Sequence, residues 1–307
     1  MQARKWNLSA RQLRTVVLLC IGLVLVGVGL SLALPGRRSA TAAFDGQRAF
    51  AHAEMQMTLG PRTPGSEAHE RTRAYIADVL ARHGWQVQQP QGELLGQQVF
   101  NLLATRPGAE GGPWIILGAH YDSRFFADHD PDPALQLQPV PGANDGASGV
   151  AVLLELARIL PLHDPAATVT LAFFDAEDNG GIDGWDWIMG SRLVADSLTE
   201  LPDAVVILDM IGDADLQIYL ERSSDPRLAA EIWAQAAALG YGDVFISEPK
   251  FTIMDDHTPF LAREIPAVDI IDFDYPYWHT SEDTLDKISA ESLGIVGEVV
   301  LAWVLAQ

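Results

Sequence analysis

Cysteine is almost absent from this sequence, and its scarcity restricts the chemistry that the chain can support. The only cysteine among the 307 residues is Cys20, which lies inside an apolar run near the N-terminus. Residues 39–307 therefore form no disulfide and offer no thiolate to a metal or a substrate. Any zinc in that part of the chain must be bound by His, Asp and Glu side chains.

Acidic residues are missing from the first 44 positions, and basic residues are scarce in the rest. Residues 39–307 carry 14 of the 20 lysines and arginines and all 41 aspartates and glutamates, a formal charge of −27. Such an acidic surface repels the phosphates of nucleic acids and of anionic lipids. We therefore expect no nucleic-acid partner. The 48% apolar content is that of a globular protein.

One apolar run, residues 16–34, has basic residues on both sides. As a helix its 19 residues span about 28 Å, close to the roughly 30 Å hydrocarbon core of a bilayer. The run is also longer than the core of a typical signal peptide. Four basic residues precede it and two follow it, which predicts a cytoplasmic N-terminus.

This charge pattern divides the chain into four predicted parts: a cytoplasmic tail at 1–15, a transmembrane anchor at 16–34, a linker at 35–44, and an extracytoplasmic domain at 45–307. The anchor would make the membrane a partner of the chain through its N-terminal helix. The alternative is cleavage after the small residues at 40–42, which would release a secreted protein. The oligomeric state stays open.

Short apolar segments alternate with helical segments through the outer domain. Four apolar segments are typical of strands buried on both faces: residues 114–119, 168–174, 204–208 and 267–271. Residues 149–160 and 226–239 are predicted helices, and residues 85–88 and 98–104 are predicted outer strands. This alternation predicts a single α/β domain whose mainly parallel, mixed central sheet is flanked by helices.

Side chains that bind metals follow the predicted strands or lie in a glycine-rich turn. They are His120, Asp145, Glu177, Asp178, Asp209 and His279. Each alone has an ordinary explanation; an Asp ahead of a helix, for example, is usually an N-cap. Together they suit zinc, because ligands bind at the carboxyl ends of parallel strands and a zinc pair needs a shared carboxylate.

Six ordered motifs resemble a known family, the zinc aminopeptidases together with the glutaminyl-peptide cyclotransferases. The motifs are residues 118–123, 142–149, 177–178, 208–212, 255–260 and 278–280, and the resemblance extends over residues 45–307. It implies a phosphorylase/hydrolase-like zinc exopeptidase fold and an enzyme that acts on the N-termini of peptides or proteins. The predicted domain at 45–307 would then be the catalytic domain.

The resemblance also implies a ligand set. Asp145, Asp178 and His279 would hold one Zn²⁺. In the two-zinc aminopeptidases, the counterparts of His120 and Asp209 hold a second ion, with the counterpart of Asp145 bridging the two. Both sets are present in this sequence, so the number of ions, one or two, stays open.

Three further residues receive roles from the same resemblance. Glu177 would be the general acid/base, Asp255 would hydrogen-bond within the active site, and Trp278 would line the substrate pocket. Trp278 and the 255–260 segment favour a cyclotransferase, which converts N-terminal Gln to pyroglutamate and releases ammonia. An aromatic segment at 183–187 points the same way.

Other features favour the alternatives. The family's animal cyclases carry a disulfide and a pocket His, whereas this chain has no second cysteine and has Asp269 at that position. Asp178 stands where Glu is more usual, and the 142–149 turn is closer to bacterial aminopeptidases. The alternative function is therefore a zinc aminopeptidase. A receptor-like ectodomain without activity is a remote alternative, because every ligand candidate is intact.

Overall fold

The computed structural model describes residues 43–307. The predicted cytoplasmic tail, the anchor at 16–34 and nearly all of the linker lie outside this range. Within residues 43–307, no helix combines the length and the apolar character needed to cross a bilayer.

Strands and helices alternate through the described chain. The strands are β1 (Gln86–Gln88), β2 (Gln91–Leu94), β3 (Gln97–Phe100), β4 (Leu102–Arg106), β5 (Trp114–His120), β6 (Thr168–Phe174), β7 (Ala204–Asp209), β8 (Ile218–Leu220), β9 (Phe245–Pro249) and β10 (Ala267–Ile271). The helices are α1 (Gly46–Leu59), α2 (Glu67–Arg82), α3 (Ala147–His163), α4 (Met189–Ser197), α5 (Pro226–Leu239), α6 (Thr258–Leu261) and α7 (Ala290–Leu305), and a 3₁₀ turn covers Leu285–Lys287.

Six strands form one mixed sheet in the order β1-β4-β6-β5-β7-β10. Strands β6, β5, β7 and β10 run parallel, whereas β4 and β1 join at one edge in antiparallel pairs. Two small sheets, antiparallel β2–β3 and parallel β8–β9, lie beside it. The prediction of a single α/β domain with a mainly parallel, mixed sheet is confirmed.

The central strands are apolar throughout because each buries both faces. In β5, Ile115 and Leu117 pack into a core shared with α1, α2, α3, α5 and α7. Ile116 points to the opposite face, where it joins a smaller core with Val194 of α4 and Phe260 of α6. This alternation follows from the two-residue period of a strand and places helices on both sides of the sheet.

The segment predicted as one strand at 98–104 forms two strands instead. Asn101 separates β3 from β4, and its backbone N–H donates to the carbonyl of Pro90. Its side chain accepts from the N–H of Asp175 and donates to the carbonyl of Gly190. These contacts draw Asn101 out of the strand ladder, so β3 pairs in the small sheet and β4 in the large one.

Candidate metal and catalytic site

The five predicted metal ligands meet at the carboxyl edge of the large sheet. His120 ends β5, and Asp209 ends β7. Asp178 follows β6, Asp145 lies just ahead of α3, and His279 lies in the loop after β10. All five are buried. The parallel order of the strands accounts for the convergence, since the carboxyl ends of parallel strands share one edge.

Asp145 lies between two imidazoles. Its Oδ1 is 2.9 Å from His120 Nε2, and its Oδ2 is 3.8 Å from His279 Nε2. His120 Nε2 is also 3.2 Å from Asp209 Oδ1, and His279 Nε2 is 2.7 Å from Asp178 Oδ1. Two sets of ligand atoms result, each with all atoms within 4.8 Å of one another, and Asp145 belongs to both.

A third set of possible ligand atoms is formed by Asp128, His129 and His279. The carboxylate of Asp128 already binds a cation, because Arg124 donates to it from Nε at 2.8 Å and from Nη2 at 2.6 Å. This set is therefore weaker than the two sets that share Asp145.

Glycines allow the close packing around Asp145. A Cβ atom at Gly146 would lie 2.4 Å from His120 Nε2 and 2.5 Å from the carbonyl oxygen of His120. A Cβ atom at Gly149 would lie 2.1 Å from the carbonyl oxygen of Leu208. Larger residues at either position would push the start of α3 away from the strand ends, and Asp145 would move with it.

Three residues of the site have left-handed backbone, which is uncommon for residues other than glycine. Ala176 has φ 54° just before Glu177, Met210 has φ 44° just after Asp209, and His279 itself has φ 57°. Such conformations cluster at functional sites, where the surrounding contacts hold them.

Asp122 and Arg124 hold the backbone of the segment that carries Glu177 and Asp178. The carboxylate of Asp122 accepts from the N–H of Glu177 at 3.0 Å and of Asp178 at 3.3 Å, and it lies 3.4 Å from His120 Nδ1. Arg124 donates to the carbonyl of Asp178 at 2.8 Å. Contacts of this kind orient metal ligands.

The site has more negative than positive groups, and its pKa values reflect this. Burial, helped by the neighbouring Asp145, raises the pKa of Asp178 to about 6. Burial and Asp255 raise the pKa of Asp209 to about 7. Burial also raises the pKa of Glu177 well above its ordinary value. A divalent cation would supply the missing positive charge and displace these protons.

The donor set fits zinc. Asp145 Oδ2 and Asp178 Oδ2 are buried and have no hydrogen-bond partner. Leaving buried carboxylate oxygens unpaired is costly, so a cation between them would stabilise the site. Imidazole and carboxylate ligands without sulfur are a common zinc set.

A cavity of about 180 Å³ opens onto this site. Its polar wall includes Glu177 and Asp255, and its apolar wall includes Ile253, Ile271 and Phe273. A small pocket that combines apolar and aromatic side chains with convergent acidic groups of perturbed pKa is typical of an enzyme site.

Two indoles complete the walls of this cavity. The predicted substrate residue Trp278 is one of them, and its ring lies 3.9 Å from the ring of His279. Trp187, the other, was not assigned a role from the sequence, although it belongs to the aromatic segment 183–187. The neighbouring Trp185 instead packs against Phe125, with ring centroids 5.2 Å apart.

Asp255, which lines the cavity, belongs to a cluster of buried acids with Asp256 and Asp269. Its Oδ1 accepts from the N–H of Asp256, and its Oδ2 has no partner. Burial and the neighbouring Asp255 raise the pKa of Asp269 well above its ordinary value. Neither carboxylate oxygen of Asp269 has a hydrogen-bond partner among the described residues. The position where the family resemblance places a His therefore holds a buried acid.

The profile described as "Peptidase family M28" matches residues 101–304. The chain is 29% identical to a glutaminyl-peptide cyclotransferase of Drosophila melanogaster over 280 residues, 78% of this chain and 75% of that protein. Its structure resembles a Tannerella forsythia glutaminyl cyclase with TM-score 0.80 and 35% identity, covering 86% of this chain and 99% of that one. It also resembles a leucine aminopeptidase precursor from Bacteroides thetaiotaomicron, with TM-score 0.81, 31% identity and coverage of 87% and 99%. The chain therefore belongs to peptidase family M28.

Proposed function

We propose that this chain is a zinc-dependent glutaminyl-peptide cyclotransferase, which converts N-terminal Gln of peptides to pyroglutamate and releases ammonia. The observation that carries the proposal is the pair of indoles, Trp187 and Trp278, that line the small cavity beside His279. The similarity to the Drosophila cyclotransferase and to the Tannerella cyclase supports the same activity.

In this reaction the substrate attacks itself. The nitrogen of its α-amine forms a bond to the carbonyl carbon of its own Gln side chain, and the bond from that carbon to the side-chain nitrogen breaks. One proton passes from the attacking nitrogen to the leaving nitrogen, so that ammonia departs and no water is consumed. Because the attack is intramolecular, holding the side chain folded supplies much of the rate.

Glu177 is the group proposed to carry that proton. Its carboxyl lines the cavity, and burial raises its pKa well above its ordinary value. A carboxyl group beside the reacting atoms can accept a proton and donate it again. The unpaired Oδ2 of Asp255 would accept a hydrogen bond from the substrate's amine or leaving nitrogen. When zinc is bound by Asp145, Asp178 and His279, it supplies the positive charge that polarises the side-chain carbonyl.

The apolar wall of the cavity would exclude water from the reacting groups. The substrate side chain would be surrounded by Ile253, Ile271, Phe273 and the two indoles. Excluding water favours ring closure, since a bound water could hydrolyse an amide instead.

A zinc aminopeptidase is the second candidate, and one observation favours it. The sets His120–Asp145–Asp209 and Asp145–Asp178–His279 share Asp145, as a site for two metal ions requires. The structural similarity to the Bacteroides leucine aminopeptidase precursor is in keeping with that activity.

One experiment separates the two activities. The purified, zinc-loaded protein is offered Gln-peptides and amino-acid anilides side by side, with Glu177→Gln as the control for contaminating enzymes. The proposal expects pyroglutamyl peptide and one equivalent of ammonia, and no aniline. Release of free aniline without ammonia would identify an aminopeptidase instead.

We also propose that residues 16–34 anchor the chain and that its catalytic domain lies outside the cytoplasm. The support is the length of the apolar run and the excess of basic residues before it. Membrane fractionation and protease treatment of intact cells test both statements. A full-length chain in the soluble cytoplasmic fraction would overturn them.

A further inference from the structure

The turn that carries Asp145 is enclosed by two buried side chains from distant parts of the chain. Arg62 reaches it from the loop between α1 and α2, and Asp283 reaches it from the loop that follows His279. Both side chains are fully buried. Neither has a role in the proton transfer proposed above.

Arg62 binds the carbonyl side of the turn. Its Nη2 donates to the carbonyls of Gly142 at 2.6 Å and Asp145 at 3.4 Å, and its Nη1 donates to that of Pro141 at 3.0 Å. Its Nε donates to the carbonyl of Tyr121 at 3.0 Å. The planar guanidinium therefore joins the turn to the segment that follows β5, using donors that point in several fixed directions.

Gly142 makes this contact possible. Its φ is 76°, in the left-handed region, and a Cβ atom there would lie 2.5 Å from Arg62 Nη2. The turn is therefore shaped to bring its carbonyl against the guanidinium, and only glycine fits without displacing Arg62.

Asp283 binds the amide side of the same turn. Its Oδ1 accepts from the N–H of Asn144 at 2.8 Å, and its Oδ2 accepts from the N–H of Asp145 at 3.2 Å. Tyr275 donates to the same Oδ1 that accepts from Asn144, with its hydroxyl 2.7 Å away. Since Asp283 follows His279 by four residues, this carboxylate also ties the loop of one predicted ligand to the turn of another.

We propose that Arg62 and Asp283 are paired positioning residues for Asp145, one holding the carbonyls of its turn and the other the amides. The inference rests on the proposed metal site, because its consequence is that both residues set the zinc affinity of the protein. Asp122 and Arg124 provide a parallel at the neighbouring segment, where a carboxylate holds amides of Glu177 and Asp178 and a guanidinium holds a carbonyl.

The test measures zinc affinity by competition with a chelator, in full-length Asp283→Asn and Tyr275→Phe variants. An Asn at 283 keeps one acceptor oxygen, but its NH₂ group faces a backbone N–H of the turn. Because two donors cannot pair, the turn that carries Asp145 is held less firmly, and zinc affinity falls roughly 10- to 100-fold. Tyr275→Phe is the matched control, since it removes a bond to the same carboxylate and leaves the turn's amides paired. Its zinc affinity stays within about threefold of the wild-type value.

Arg62→Lys is the second variant. Lysine keeps the positive charge but has no planar fork, so it cannot reach the four carbonyls. Its zinc affinity falls in the same range as that of Asp283→Asn. The visible spectrum of the Co²⁺-loaded protein is the readout that general destabilisation does not move. It changes in Arg62→Lys and Asp283→Asn and stays as in wild type in Tyr275→Phe.

Should Arg62→Lys not fold, Asp283→Asn decides alone. Wild-type affinity and an unchanged Co²⁺ spectrum in Asp283→Asn overturn the positioning role, as does an equal loss of affinity in Tyr275→Phe. A wild-type protein that binds zinc but does not cyclise Gln-peptides overturns the proposed function only. A wild-type protein that binds no zinc overturns both.

Discussion

The indole of Trp187 lies parallel to the imidazole of His279, with 6.0 Å between ring centroids and 9° between ring planes. Trp278 approaches the same imidazole with its centroid 3.9 Å away. The predicted zinc ligand is therefore flanked by two indoles, and both also line the substrate cavity. A substrate that contacts both indoles in this cavity would lie next to the predicted metal site.

This arrangement predicts that the indoles act on substrate affinity. Trp187→Leu and Trp278→Leu should each raise KM for Gln-peptides about tenfold, the equivalent of roughly 1.4 kcal/mol of lost aromatic contact. The melting temperature should be affected less than KM, because both indoles line the substrate cavity, whereas Trp185 does not. Steady-state kinetics and thermal unfolding of the two variants check this.

Trp185 is the control for packing. It packs against Phe125 and against a small core that contains Val99 and Met189. Trp185→Leu should lower the melting temperature and leave KM unchanged. If Trp187→Leu and Trp278→Leu behaved like Trp185→Leu, the indoles would be packing residues and the substrate role would be wrong.

Glu177→Gln should keep zinc and lose turnover. The substitution removes the proposed proton carrier but touches none of the five predicted ligands. General acid–base catalysis is worth about 100-fold or more, so kcat should fall at least that far. Zinc content and kcat measured on the same preparation check the prediction. Activity above about a tenth of wild type would contradict the role.

His279→Ala should lose zinc and activity together, because the imidazole Nε2 lies in a set with Asp145 and Asp178. His129→Ala is its matched control, since that ring lies 5.1 Å from the ring of His279 but outside the predicted ligands. It should keep zinc. Metal analysis of both variants decides, and loss of zinc in His129→Ala would move the site to the Asp128–His129–His279 set.

The convergence of the candidate site could be predicted from the sequence because it follows from strand order. Wholly apolar segments identified β5, β6 and β7, and parallel strands place their carboxyl ends at one edge. His120, Asp178 and Asp209 had to be neighbours once those strands were neighbours. Asp145 and His279 lie in loops, so strand order alone does not place them. The joint pattern of residue types made them candidates, and the family resemblance gave them their roles as ligands.

Other parts of the site had no such signal. Trp187 lies in a loop whose path depends on tertiary contacts, so the sequence could not separate it from Trp185. Arg62 and Asp283 meet at the Asp145 turn from positions far apart in sequence, and nothing local marks either as buried. The single strand predicted at 98–104 was wrong for a similar reason, because the side-chain hydrogen bonds of Asn101 to Asp175 and Gly190 interrupt it.

A buried carboxylate outside the metal site predicts how stability depends on pH. Glu221 accepts from the backbone N–H groups of Ser223, Ser224 and Ile253. Burial raises the pKa of Glu221, but the hydrogen bonds from His257, Ser223 and Ile253 outweigh burial and lower it to about 2. Because the folded pKa is depressed, the stabilisation is complete above the unfolded value, near 4.5, and is lost as pH falls towards 2.

Glu221→Gln should therefore lower the free energy of unfolding at pH 7 by on the order of 2 kcal/mol. The difference from wild type should shrink between about pH 5 and pH 2, since Gln resembles the protonated acid. Urea unfolding across that range checks it. Asp286→Asn is the control: Lys287 and Thr284 lower the pKa of Asp286 to about 2 as well, but the side chain is fully exposed. Solvent screens that ion pair, so this variant should unfold like wild type at every pH. A constant gap between Glu221→Gln and wild type would show that the Glu221 charge contributes nothing to folding.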